Sequence, residues 1–309
     1  MAFLIVSSKG NEGAWKKELL SLSPTLDVRI YPDDGNKEDI EFALAWNPPL
    51  GVFQHYPNLK CIASKGAGAD HIMKDPDLPT QVKITRVVDD QLTTDMSAYL
   101  LSQVLAYMRS LPAYNRQQEK QLWKQHTYRI PAKTTIGIMG MGVLGQDVAR
   151  QFLELGFNLK GWTRTSKAID GVEMLYGKQN LADFLGDLDI LICLLPLTKE
   201  TRNILSAQLF KMLPKGAFLI NVARGEHLVE EDLLEAIQSE QLAGACLDVF
   251  RKEPLPPDHP FWLNDRIIIT PHVASITSIA NVAPQVLENY NRLQKGLPLL
   301  NEVSRATGY

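Results

Sequence analysis

The run Gly140-Met141-Gly142-Val143-Leu144-Gly145 constrains the fold of this chain more than any other segment, because of what flanks it. Thr134 to Met139 reads as a strand, and Leu144, Val148, Phe152 and Leu155 then recur on one helical face until Gly156 ends it. A strand that turns sharply into a helix with glycines at these spacings has a defined physical use. Gly140 permits the tight turn, Gly142 lets the backbone approach a pyrophosphate, and Gly145 allows the helix to pack closely on the strand. The free N–H groups of the helix start face that anion. Gly140, Met141, Gly142, Val143, Leu144 and Gly145 are therefore expected to hold a dinucleotide. The alternative is an ordinary strand-to-helix turn.

The pattern around this segment is a βα series. Strand-like runs at Thr135 to Met139, Asn158 to Trp162, Ile190 to Leu194, Ala217 to Val222, Gly244 to Val249 and Arg266 to Thr270 alternate with helical segments, which predicts six strands of a doubly wound nucleotide-binding domain. Five further runs precede it: Phe3 to Val6, Val28 to Tyr31, Phe42 to Trp46, Leu59 to Ala63 and Val82 to Val87. They predict a second parallel α/β unit. A length of 309 residues accommodates two domains of about 150 residues. Met96, Leu100, Val104, Met108 and Leu111 form a helical stripe that carries the chain between them. The polar stretch Asn115 to His126 around Trp123 is either a solvated helix or an arm to a second subunit. A helical run from Ser275 to Leu293, interrupted by Pro284, leaves a tail that can return to the first domain.

Charge narrows the partners. Thirty-two Lys plus Arg against 35 Asp plus Glu leave a net charge of -3, with no basic cluster suited to nucleic acid or an anionic membrane. Ile190 to Leu195 is the longest apolar run and is far too short to span a bilayer. Met1 to Ser7 reads as a first strand and not as a secretory signal. Cys61, Cys193 and Cys246 sit in apolar stretches without metal-ligand spacing, so they are read as buried, reduced thiols of a cytoplasmic protein, with no metal site.

The end of the second strand selects the cofactor. A chain that binds NAD normally places Asp or Glu there for the ribose hydroxyls. Here Trp162-Thr163-Arg164-Thr165-Ser166-Lys167 occupies that place, and the first acid, Asp170, comes too late. Arg164 and Lys167, with Thr165 or Ser166 donating hydrogen bonds, suit a 2′-phosphate, which a carboxylate would repel. NADPH is expected as the preferred cofactor, with NAD possible; the alternative is a pair of solvated surface cations.

Three segments fall just after later strands, at the edge where such sheets bind ligands. They are Asn221 to Gly225, Leu247 to Pro256 and Thr270 to Ala274. Hydride transfer to a 2-oxo acid needs a cation for the carboxylate and ketone, and a proton donor for the developing oxyanion. Arg224 can form a forked pair with a carboxylate. His272, of ordinary pKa about 6.5, can deliver a proton near neutral pH, and a neighbouring Glu253 would keep it charged. His55, His71, His126, His227 and His259 lack this strand-end setting and are read as structural or surface residues.

The glycine segment, Asn-Val-Ala-Arg-Gly-Glu from Asn221, Leu-Asp-Val-Phe-Arg-Lys-Glu-Pro-Leu-Pro from Leu247 and Thr-Pro-His-Val-Ala from Thr270 together resemble the D-isomer-specific 2-hydroxyacid dehydrogenase family. Trp46 to Pro49, Gly66 to Asp70, Trp162 to Thr165 and Pro256 to Pro260 are similar to its glyoxylate/hydroxypyruvate reductase A branch, which favours NADPH. The resemblance implies an α/β fold of two doubly wound parallel-sheet domains: a Rossmann-type NAD(P)-binding domain over 99–284, and a flavodoxin-like substrate (catalytic) domain built from 1–98 and 285–309. A cleft between them can close to exclude water. It implies Arg224, Glu253 and His272 as the catalytic set, with Arg224 and His272 also at the cofactor. Asp248 is implied as a contact of the nicotinamide amide, with Leu194-Leu195-Pro196 and Val222-Ala223 lining its pocket and Trp162, Thr163, Arg164, Thr165 and Lys167 around the adenosine end. Ala67 and Gly68 lie in a loop whose backbone N–H groups hold the substrate carboxylate, or in a plain turn. Trp46 either caps the substrate or packs in the core.

The expected activity is NADPH-dependent reduction of glyoxylate or hydroxypyruvate to glycolate or D-glycerate by a homodimer. The alternatives are a reductase for a larger 2-oxo acid, and a nicotinamide-sensing binding protein on the same fold.

Overall fold

The computed structural model describes residues 1–8 and 10–305; the last four residues of the expected 285–309 segment lie outside the described residues. The chain divides into two compact units, one formed by Met1–Leu92 with the chain from Thr277 onwards, the other by Thr93–Ile276. The joints fall at 92/93 and 276/277, not at 98/99 and 284/285. Packing explains both shifts. Met96, Leu100, Val104 and Met108 of the helix Asp90–Met108 are buried with Ile136, Ile138 and Val148 of the second unit, whereas Leu92 is buried with Phe3 and Phe42 of the first. The helix Ile279–Gln294 runs through Pro284 unbroken, and its Val282, Ala283, Val286 and Tyr290 belong to that same first core. Ser278 caps it, accepting from the Asn281 N–H, so the residues from Ser275 to Thr277 stay outside the helix.

In the first unit, β1 (Ala2–Ser7), β2 (Val28–Ile30), β3 (Ile40–Trp46), β4 (Cys61–Ser64) and β5 (Lys83–Thr85) form a parallel sheet of order β2-β1-β3-β4-β5, the flavodoxin-like order. One face packs on the helices Glu12–Leu22 and Ile279–Gln294 through Trp15, Leu19 and Tyr290; the other packs on Val52, Phe53 and Ile72. Burial on both faces is why these strands read as unbroken apolar runs. The returning tail borders the sheet, with the Val303 N–H donating to the Ile84 carbonyl at 2.8 Å.

In the second unit, β6 (Thr135–Met139), β7 (Asn158–Thr163), β8 (Glu173–Tyr176), β9 (Ile190–Cys193), β10 (Ala217–Asn221), β11 (Leu242–Leu247) and β12 (Ile267–Ile269) form a parallel sheet of order β12-β11-β10-β9-β6-β7-β8. It has seven strands where the periodicity predicts six. The extra one, β8, is a four-residue edge strand with none of its residues fully buried, and its Met174-Leu175 is too short an apolar run to mark it. From β6 the chain winds outward to β8 and then returns to β9 on the other side of β6. Ligands of such sheets bind at this reversal, beyond the carboxyl ends of the strands.

Candidate active site

The glycine segment lies at the reversal. Gly140 has φ +103°, and a Cβ there would stand 2.6 Å from the Leu194 carbonyl oxygen, so only glycine lets this turn lie against the segment after β9. A Cβ on Gly145 would stand 2.1 Å from the Gly140 oxygen, which keeps the helix Val143–Glu154 tight on the turn. Gly142 meets nothing within 4 Å. Its backbone is thus open to a ligand where its neighbours are packed, which fits a cradle for a pyrophosphate. Leu155, expected on the apolar face, is exposed because the helix ends at Glu154 and Gly156 turns the chain away at φ +81°.

At the end of β7, Trp162 is buried and donates its indole N–H to the Gly177 carbonyl at 3.0 Å. Residues 164 to 167 are exposed, and no acid precedes Asp170. Lys167 Nζ donates to the Met141 carbonyl at 3.0 Å, which holds a cation over the glycine turn. Arg164 lies within electrostatic reach of Glu200, whose carboxyl is held below its ordinary range by the Thr198 hydroxyl, its own backbone N–H and the charges of Lys178 and Arg164, against a small opposing effect of burial. Two cations without a strand-end carboxylate fit a phosphate on the adenosine ribose.

Beyond β10, the fully buried Asn221 donates its side-chain N–H to the Arg224 carbonyl at 3.0 Å. His227, also fully buried, accepts the Arg224 N–H on Nδ1 at 3.2 Å and reaches the Pro196 carbonyl with Nε2 at 3.3 Å. The Arg224 loop is thereby tied to the segment Leu194-Leu195-Pro196. Arg224 Nη1 donates to the Ala223 carbonyl at 2.7 Å. A Cβ on Gly225 would overlap the Phe250 carbonyl carbon at 1.9 Å, so this glycine seats the Arg224 loop directly on the segment that carries Glu253.

Glu253 and His272 form the central pair. Glu253 Oε1 accepts the Phe250 N–H at 3.0 Å, and Oε2 lies 2.8 Å from His272 Nδ1. A carboxylate only accepts, so Nδ1 carries a proton and Nε2 is the nitrogen left to face a substrate. Burial alone raises the Glu253 carboxyl, but the His272 hydrogen bond and charge, the Phe250 N–H and the Arg224 charge outweigh it and bring it below the ordinary value. His272 has φ +55°, in the left-handed region that a histidine seldom adopts. Its own N–H goes to the Asp248 and Thr270 carbonyls at 2.9 and 3.1 Å. Asp248, 1% exposed, accepts from Thr270 Oγ1 (2.6 Å) and the Val273 N–H (2.9 Å) on Oδ1, and from the Ala274 N–H (2.9 Å) on Oδ2. That uses three of the roughly four acceptor sites of a carboxylate, and at most one is left for a ligand.

In the first unit, Trp46 ends β3 and Lys65-Gly66-Ala67-Gly68 continues from β4. A Cβ on Gly66 would stand 2.6 Å from the Trp46 ring, and the centroid of the His71 ring lies 4.5 Å from that of Trp46. Ser64 Oγ accepts the Gly66 N–H at 3.2 Å and donates to the Gly68 carbonyl at 2.6 Å, which fixes the turn. Trp46, Ala67 and Gly68 are thus gathered at one edge of this sheet. From sequence, Asn221 is no more than part of a motif and His227 a structural residue. Thr270 likewise only opens a motif, and Tyr99, whose hydroxyl and that of Thr270 bond each other at 2.6 Å beside Asp248, is not singled out there at all. A hydroxyl on the apolar stripe of the helix Asp90–Met108 is the one signal that marks Tyr99. Among the described residues no cluster of His, Cys, Asp or Glu could hold a metal ion, and no helix is long and apolar enough to cross a membrane.

Residues 101–274 match the family described as D-isomer specific 2-hydroxyacid dehydrogenase, NAD binding domain. The chain belongs to this family of NAD(P)-dependent oxidoreductases. It is 40% identical over 304 residues to glyoxylate/hydroxypyruvate reductase A of Serratia proteamaculans (strain 568), covering 97% of each chain. A D-isomer specific 2-hydroxyacid dehydrogenase from Xanthobacter autotrophicus Py2, solved in complex with NADPH and MES, superposes with a TM-score of 0.93 at 39% identity over 100% of this chain and 99% of that one. The NADPH-dependent glyoxylate/hydroxypyruvate reductase of Sinorhizobium meliloti, solved with NADP and sulfate, gives a TM-score of 0.92 at 37% identity over 100% of both chains.

Proposed function

We propose that this protein reduces glyoxylate and hydroxypyruvate to glycolate and D-glycerate with NADPH, and accepts NADH less well. The 2.8 Å contact between His272 Nδ1 and Glu253 carries the reading, because it holds one proton on Nδ1 and favours the imidazolium, whose second proton, on Nε2, can go to a ketone oxygen. The likeness to two NADPH- or NADP-bound structures and to reductases of these acids supports the cofactor and the substrate class. When bound, NADPH supplies the hydride for the carbonyl carbon. Gly140 to Gly145 bind its pyrophosphate; Arg164 and Lys167 bind its 2′-phosphate beside Trp162, Thr163 and Thr165. Leu194, Leu195, Pro196, Val222 and Ala223 exclude water from the nicotinamide. Asp248 has one acceptor site for the carboxamide.

Arg224 grips the substrate carboxylate and polarises the ketone, and His272 passes its Nε2 proton to the oxygen as negative charge develops there. Glu253 stabilises the imidazolium and holds its orientation. The backbone N–H groups of Ala67 and Gly68 bind the carboxylate, and Trp46, seated on Gly66, shapes the pocket. We also propose a cytoplasmic homodimer. Residues 122–130 form neither helix nor strand after the helix Leu111–Glu119, and Trp123 among them is 98% exposed, as a side chain that meets a partner subunit would be.

NADPH oxidation over a panel of 2-oxo acids tests the reading. Highest kcat/KM with glyoxylate and hydroxypyruvate is expected. Preference for a phenyl or branched-chain acid would replace the substrate, and turnover with none would point to a nicotinamide-sensing binding protein. Light scattering tests the dimer.

A further inference from the structure

We propose that Tyr99 is a positioning residue for the proton donor, acting on His272 through Thr270 and Asp248. The inference rests on the reading of His272 as that donor. Three successive amide hydrogens, of His272, Val273 and Ala274, end on Asp248: the first on its carbonyl, the other two on its carboxylate. The rotamer of the Asp248 carboxylate therefore holds the backbone of Val273 and Ala274, directly after the histidine. What sets that rotamer is Thr270, whose hydroxyl lies 2.6 Å from Oδ1.

Donor direction is then fixed. The carboxylate can only accept, so the single hydroxyl proton of Thr270 points to Asp248, and Thr270 Oγ1 is left as an acceptor. Tyr99, 2.6 Å away on the helix Asp90–Met108, donates to it. The phenol oxygen also lies 3.3 Å from Cys246 Sγ, whose own proton goes to Gln103 Oε1 at 3.5 Å, one helical turn beyond Tyr99. Burial, and behind it the neighbouring Cys246, pushes the Tyr99 phenol upward, so it remains a donor throughout the working pH range. Donor bonds that run one way polarise one another in a low-dielectric interior. The chain Tyr99 to Thr270 to Asp248 thus connects a helix to the left-handed residue that holds the acid. Nothing in the binding of a dinucleotide or a carboxylate requires a hydroxyl at position 99; a phenylalanine would fill the same apolar stripe.

The test is Tyr99→Phe, which keeps the ring and removes only the donor. Three readouts are taken together: kcat and KM for NADPH, hydrogen exchange of the peptide spanning 270–275, and the same substitution in a Thr270→Val background. Expected are a kcat lowered about three- to tenfold with KM for NADPH within about twofold, faster exchange at 272–274, and no further loss in the double variant. Unchanged kcat, unchanged exchange, a KM for NADPH rising in step with the loss, or additive losses would each overturn the inference. Thr270→Ser, which retains the hydroxyl, should restore both readouts, and this separates the hydroxyl from packing if Thr270→Val folds poorly. Exchange needs no turnover, so it reports on this network even if His272→Ala leaves activity intact and the assignment of the donor fails instead.

Discussion

Glu253→Gln removes a charge while preserving shape, and the two bonds of the carboxylate determine its effect. Oε1 accepts the Phe250 N–H at 3.0 Å and Oε2 faces His272 Nδ1 at 2.8 Å, so the site demands two acceptors. An amide offers one acceptor and one donating NH2. Whichever way it turns, a donor meets a donor, unless the imidazole gives up its Nδ1 proton and is neutral. The variant therefore favours the neutral imidazole, whose Nε2–H is a far weaker acid than the imidazolium.

A hydrogen bond between charged partners contributes about 1.5–3 kcal/mol. Glu253 and His272 are 38% and 30% exposed at the side chain, so solvent screening leaves roughly half of that, about 1–1.5 kcal/mol. At about 1.4 kcal/mol per tenfold, kcat near neutral pH falls about five- to tenfold. On the acid side the sign is opposite. The native-state value of Glu253 is depressed, so its ionised form stabilises the fold above the ordinary carboxylate range, and that contribution is lost only as pH falls through the lower, folded value. The Gln variant has no such loss. The measurement is kcat at saturating glyoxylate from about pH 5.5 to about pH 9.5 for both proteins. A kcat for the Gln variant equal to that of the parent across this range would show that the charge of Glu253 does not act on His272 and would refute the assignment.

Arg164→Ala with Lys167→Ala should raise KM for NADPH about 10- to 100-fold, the loss of one or two charge-assisted bonds, and leave KM for NADH within about twofold; kinetics with both cofactors check this. Gly145→Ala and Gly142→Ala should separate fold from ligand. The first drives a methyl to 2.1 Å from the Gly140 oxygen and should lower Tm by several degrees, through about 1–3 kcal/mol of overpacking. The second meets nothing within 4 Å and should leave the ligand-free Tm unchanged while weakening cofactor binding, as melting with and without NADPH would reveal. Burial pushes the thiols of Cys61, Cys193 and Cys246 up to about 12, so a thiol reagent near neutral pH should label none of them in the native protein and all after denaturation. Rapid native labelling of any one would show that its strand opens.

Both sheets were legible in the sequence for one reason: strands covered on two faces must be apolar throughout, and Phe3 to Val6 or Ile190 to Leu194 can be little else. β8 was not, because an edge strand with Glu173 and Tyr176 exposed has no apolar requirement to announce it. The joints of the two units fall a few positions before those the resemblance implied. Pro284 argued for a helix break, yet within a helix it removes one amide bond, and the burial of Val282, Ala283, Val286 and Tyr290 outweighs that loss. The proposed catalytic groups Arg224 and His272 stand out as polar residues just beyond strand ends. The residues that hold them do not, because Asn221, His227, Asp248 and Thr270 gain their meaning only from partners up to 171 positions away, as Thr270 does from Tyr99.

The balance at His272 explains why such concealed partners matter. A histidine held at φ +55° is strained by about 1–3 kcal/mol relative to an ordinary conformer. Opposing this are the three amide bonds from His272, Val273 and Ala274 to Asp248, each with a net contribution of about 0.5–1.5 kcal/mol. The two sums are of similar size, so the left-handed conformer is maintained with little margin. Two of the three bonds depend on one carboxylate rotamer, and that rotamer depends on Thr270 and, through it, on Tyr99. A perturbation too small to unfold the domain is then large enough to move the imidazole, and its effect should fall on kcat while the glycine cradle, which shares none of these bonds, continues to bind cofactor.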